Sequence, residues 1–113
     1  MLEKVLQLLG GSILDKYQVK LMPKAYEDID GIYTYIVDEL QNNDATLKLV
    51  DAFEEMIFSL ELLPFRGTKR KIGMFADKGY RQLFVSKFTI IYRVNSKSRS
   101  VIIVRVIYSG RNL

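Results

Sequence analysis

Between Arg66 and Leu113 the chain carries twelve Lys and Arg and a single acid, Asp77; Met1 to Phe65 carries five Lys and twelve Asp or Glu. The net charge of +4 therefore hides a balance of −7 before Arg66 and +11 after it. Cations clustered in this way attract a polyanion or an acidic protein, with a field that reaches about 8–10 Å at physiological salt. The plainer alternative is a sheet edge decorated with Lys against aggregation. The run Lys69-Arg70-Lys71 suits the backbone of a nucleic acid, or simply a solvated loop. Histidine and cysteine are both absent. That removes the usual base near neutral pH, Ser-His-Asp and Cys-His catalysis, and the thiolate and imidazole ligands of zinc. No metal or cofactor is expected. For proton transfer the basic half retains Tyr80, Tyr92, Tyr108, the lysines and Asp77. Free Tyr and Lys titrate near ~10, so neighbouring arginines would have to pull one of them down.

The elements that must hold these residues are readable from spacing. At 113 residues the chain is one domain by size. No apolar run approaches the ~20 residues of a membrane span, and the start, MLEKVLQLLGG, lacks the basic head of a signal peptide, so the cytoplasm is expected. Leu2, Val5, Leu6 and Leu9 mark a short amphipathic helix stopped by Gly10-Gly11, and residues 1–14 are set apart as an extension of the domain at 15–113. Tyr17–Met22 alternates as a strand. Pro23 opens a helix whose face is Ile29, Ile32, Tyr33, Ile36, Val37 and Leu40. Gly31 inside it costs about 1 kcal/mol against Ala, which leads us to expect close packing there. Asp44 caps a second helix, with Leu49, Phe53, Met56, Leu60 and Leu63 in register until Pro64. Residues 65–79 read as a loop. Three strands follow at Tyr80–Val85, Phe88–Val94 and Val101–Tyr108, joined by Ser86-Lys87 and by Asn95–Ser100. Val101 to Val104 is apolar on both faces, as in an interior strand. The order β-α-α-β-β-β predicts an α+β domain with a helical hairpin on one face of an antiparallel sheet.

An early strand, PKAYEDIDGIYTYI, a helix ending LELLPFRG, then GYRQLFVSKFTIIYRV and VIIVRVIYSGRNL resemble, in this order, the RelE/ParE toxins of bacterial type II toxin–antitoxin modules. The resemblance covers about residues 17–113. It implies a small microbial-RNase-like fold, growth arrest, and neutralisation by an antitoxin encoded alongside, as a homodimer or in a heterotetramer with that antitoxin. Some family members cleave mRNA on the ribosome; others poison DNA gyrase.

For cleavage, a base takes the 2′-OH proton, an acid protonates the leaving 5′ oxygen, and cations hold the charge on phosphorus. The resemblance implies that Arg81, opening its strand, contacts phosphate, and that Tyr108 and Arg111 form the C-terminal end of the catalytic set. Tyr108 stands where many relatives have His, and Thr89 where some cleaving members carry Arg. Tyr92 is expected in the core. Lys69, Arg70, Lys71 and Arg93 are the expected nucleic-acid contacts. Three functions are compatible with this set: a ribosome-dependent mRNA endonuclease, placed first; a gyrase poison that needs a binding surface and no acid–base pair; and a non-toxic binding module.

Overall fold

The computed structural model describes residues 16–40 and 43–108. The elements run β1 (Gln18–Leu21), α1 (Pro23–Leu40), α2 (Asn43–Leu62), β2 (Thr68–Lys69), a 3-10 turn (Gly73–Phe75), β3 (Arg81–Val85), β4 (Phe88–Asn95) and β5 (Ser100–Tyr108). The expected N-terminal helix and the Gln41-Asn42 break lie outside the described residues, as does Arg111.

The two helices and the three long C-terminal strands stand where periodicity puts them. All strands join one sheet in the order β1-β5-β4-β3-β2. The sheet is antiparallel from β5 to β2, but β1 adds to its edge parallel to β5, with Val19 opposite Val101 and Leu21 opposite Ile103. The cause is the helical hairpin. It carries the chain back across one face, and a long crossover is what a parallel neighbour requires. β5 is interior, as its two apolar faces require. Residues 65–79 are more ordered than a plain loop: Thr68 and Lys69 pair with Gln82 and Arg81, and the Arg70 amide donates to the Tyr80 carbonyl at 2.8 Å.

The helices cover the face formed by Val85, Phe88, Ile90, Tyr92, Val101, Ile103 and Val106, which packs with Ala25, Phe53 and Leu60. Burying a side chain such as Phe53 stabilises the fold by about 1.5–3 kcal/mol. Phe53 meets Tyr33 edge-on at 6.2 Å and Phe88 at 5.7 Å. At the far end of the hairpin the Tyr17 amide donates to the Glu61 carbonyl at 2.8 Å, tying the entry of β1 to the last turn of α2.

Candidate functional site

Arg81 opens β3 beside the segment that leaves α2, and its guanidinium is engaged there. Nη1 donates to the Gly67 carbonyl at 2.7 Å and to the Phe65 carbonyl at 3.3 Å, while the guanidinium lies 5.1 Å from the Phe65 ring centroid. Arg81 is half-buried, and much of its hydrogen-bonding capacity holds this corner together. Opposite it in the ladder is Tyr92, which is fully buried and, as expected, part of the core. Burial pushes the Tyr92 phenol above its usual range; the Gly67 hydrogen bond and the Arg81 and Arg66 charges oppose this without reversing it. A phenol so placed stays protonated at neutral pH and does not serve as a base.

The basic triplet divides. Lys69 and Lys71 are exposed, but Arg70 is buried: its Nε donates to the Ile72 carbonyl at 3.1 Å and its Nη1 to Gln82 Oε1 at 2.7 Å. Of the three residues expected to face a nucleic acid, Arg70 braces the loop against β3, while Lys69 and Lys71 face outward. Arg93 is exposed on the sheet face away from the helices. Its ladder partner is Ile102, and Ile102 is also the partner of Lys20 on β1. Adjacent strands lie about 4.8 Å apart, so Lys20 and Arg93 flank Ile102 at about 10 Å from each other. Lys20 is a cation that the sequence places on a polar face without indicating its neighbour. Arg105 is bound to Asp28 of α1 through Nε–Oδ2 at 2.7 Å and Nη2–Oδ1 at 3.2 Å. The same Oδ2 accepts the Val106 amide at 2.9 Å.

Tyr108 ends β5, half-exposed, with its ring edge-on to Phe88 at 5.6 Å. It walls a groove of about 550 Å³ between α1 and the end of β5, whose floor is Ile32, Phe88 and Val106. Tyr108 pairs with Phe88, whereas Arg81 pairs with Tyr92, four residues further along β4. At about 3.4 Å per residue that is about 14 Å along the strand, with β4 between the two residues. Arg81 and Tyr108 therefore stand on the two strands that flank β4, their backbones offset by four ladder positions. Thr89 is fully buried. Among the described residues no cluster of three or more acids could hold a metal ion, and no helix is long and apolar enough to cross a membrane.

Three solved structures share this fold. The chromosomal ParDE toxin–antitoxin system of P. aeruginosa superposes with a TM-score of 0.65 at 24% identity, over 83% of this chain and 97% of that one. The RelBE2 toxin–antitoxin complex of Mycobacterium tuberculosis gives 0.57 at 20% identity, over 85% and 94%. The YoeB/ParE toxin of Agrobacterium tumefaciens gives 0.55 at 17% identity, over 81% and 98%. Among curated protein sequences none matches this one. The family model described as the ParE toxin of the type II toxin–antitoxin system parDE matches residues 19–113. With that match spanning the sheet and both helices, the chain belongs to the ParE toxin family.

Proposed function

We propose that this toxin arrests growth by binding DNA gyrase through its cationic surface, without chemistry of its own, and that an antitoxin encoded beside it neutralises it. The observation that carries the reading is the separation of Arg81 from Tyr108. Arg81 is engaged in supporting a corner of the fold, and Tyr108, four ladder positions away, walls a separate groove. A binding toxin needs no acid–base pair, and the exposed cations Lys20, Lys69, Lys71 and Arg93 provide a surface for an enzyme that carries DNA.

The test is a supercoiling assay with purified gyrase, run beside a cell-free translation reaction in which mRNA ends are mapped. Inhibited supercoiling with intact mRNA is expected. Normal supercoiling in excess toxin overturns the reading. Cuts at ribosome-occupied codons would establish instead the ribosome-dependent endonuclease, which draws on the same cations and on the half-exposed Tyr108.

A further inference from the structure

The segment between β2 and β3 is held more firmly than a surface connection requires. Arg70 is its post: 9% exposed, it donates from Nε to the Ile72 carbonyl and from Nη1 to Gln82 Oε1. The Arg70 carbonyl accepts the Asp77 amide at 3.1 Å, and the Ala76 amide closes the 3-10 turn on the Gly73 carbonyl. Gly73, Asp77 and Gly79 take positive φ, at 75°, 55° and 83°, which turns the chain back sharply. Phe75 meets Tyr80 edge-on at 4.8 Å and braces the loop from inside. What this frame presents is apolar. Met74 is 80% exposed, the most of any large apolar side chain among the described residues, and Ile72 is 51% exposed. Flanking them in the chain are Lys69, Lys71 and Lys78, all exposed. From Lys69 to Tyr80 there are four cations and one acid, Asp77, a net charge of +3. At the foot of the loop lies a pocket of about 270 Å³ lined by Lys69, Arg70, Lys71, Asp77, Gly79 and Tyr80.

We propose that this loop is a wedge for double-stranded DNA. Met74 enters the minor groove and inserts at a base step, with Ile72 beside it, while Lys69, Lys71 and Lys78 neutralise the phosphates on either side. Charge selects a polyanion, and the apolar tip selects one with an apolar interior, which a stack of bases supplies. Methionine is among the side chains that part base steps, and its unbranched thioether fills an irregular gap. A loose loop would give way rather than open the stack; the Arg70 frame supplies the stiffness beforehand. A lipid surface is the poorer fit, because Ile72 and Met74 together bring fewer apolar groups than one myristoyl chain, which itself binds a membrane only marginally. The inference goes beyond the gyrase reading, since the loop needs only duplex DNA.

The test titrates the full-length toxin into a short duplex that carries 2-aminopurine in a central TA step, the kind most easily unstacked, and a dye at each end. 2-Aminopurine brightens when it unstacks, and energy transfer between the dyes rises when the duplex bends. The wild type is expected to brighten the probe and to bend the duplex by about 20° or more. Met74→Ala removes the wedge at an exposed position. It should abolish both signals and weaken binding by about tenfold, with the salt dependence and the melting temperature unchanged. Lys69→Ala with Lys71→Ala should instead lower the salt dependence and keep both signals at saturation. Binding by the wild type with neither brightening nor bending overturns the wedge, as do full signals from Met74→Ala. Absence of binding to the duplex overturns it too, and uptake by anionic lipid vesicles in that case would assign the loop to a membrane surface. Supercoiling measured on the same preparation keeps the two readings apart. Gyrase inhibited without deformation of the duplex overturns the wedge alone; a deformed duplex with gyrase uninhibited overturns the gyrase reading alone.

Discussion

The Tyr92 hydroxyl accepts a hydrogen bond from the Gly67 amide at 2.9 Å, joining the middle of β4 to the segment that leaves α2. A Cβ on Gly67 would stand 2.6 Å from that hydroxyl and 2.5 Å from the Gln82 carbonyl oxygen, so glycine is required by space. Gly67→Ala is expected to cost about 1–3 kcal/mol through overpacking, and Tyr92→Phe about 1 kcal/mol through the missing hydrogen bond. Denaturant melts of the two variants measure both.

The same tyrosine gives the fold an alkaline limit. Burial raises the Tyr92 phenol above its usual value near 10. Below the unfolded-state pKa both states hold the proton and the contribution to stability is whole. Above it the unfolded chain loses the proton first, so stability falls as pH rises toward the folded pKa. Melting temperatures followed from about pH 8 upward should decline past about 10, and the decline should be shallower in Tyr92→Phe. An equal slope in both proteins would assign the limb to another group.

Asp28 serves two partners at once, the Arg105 guanidinium and the Val106 amide. Asp28→Ala leaves both without an acceptor, at a cost of about 2 kcal/mol once the partial exposure of Arg105 is allowed for. Asp28→Asn keeps an acceptor for the amide and should lose less. Hydrogen exchange at Val106 reads the difference directly, because its amide should exchange faster in the alanine variant.

Cations that look alike in sequence should separate by experiment. Replacing Lys69, Lys71 and Arg93 together by Ala should leave the melting temperature unchanged. It should also reduce the salt dependence of duplex DNA binding, by about 0.9 in log–log slope for each phosphate that is no longer neutralised. Arg70→Ala should do the reverse. It removes the bonds to Ile72 and Gln82 and should lower stability by about 1–2 kcal/mol, with little change in salt slope.

Much of this architecture is visible in the order of residues, because periodicity is a local property. Ile29, Ile32 and Ile36 announce α1, and the apolar run Val101–Val104 announces an interior strand. Partner choice is not local. The alternation of Tyr17, Val19 and Leu21 would suit any neighbour, so the parallel pairing of β1 with β5 is invisible until the crossover is seen. The site shows the same division. Arg81 and Tyr108 are recognisable as residues able to serve a phosphate, but the distance between them is a matter of ladder register. Lys69, Arg70 and Lys71 form one motif in sequence; the short pairing of β2 with β3 turns the middle residue inward. The cost of glycine at position 31 could be read in advance, but the close packing expected from it is absent: beyond the local helix backbone nothing lies within 4 Å of the place a Cβ would occupy.

The pairing of the first described strand with the last has a consequence for biosynthesis. β1 leaves the ribosome well before its partner, β5, which lies beyond both helices and three further strands. Until then the apolar faces of β1 and α1 lack the surface they pack on, and a chain cut short before Ser100 cannot close its sheet. Closure of the sheet is thereby deferred until β5 has been made. A cell making this protein meets it either as an incomplete, protease-sensitive fragment or as a finished toxin.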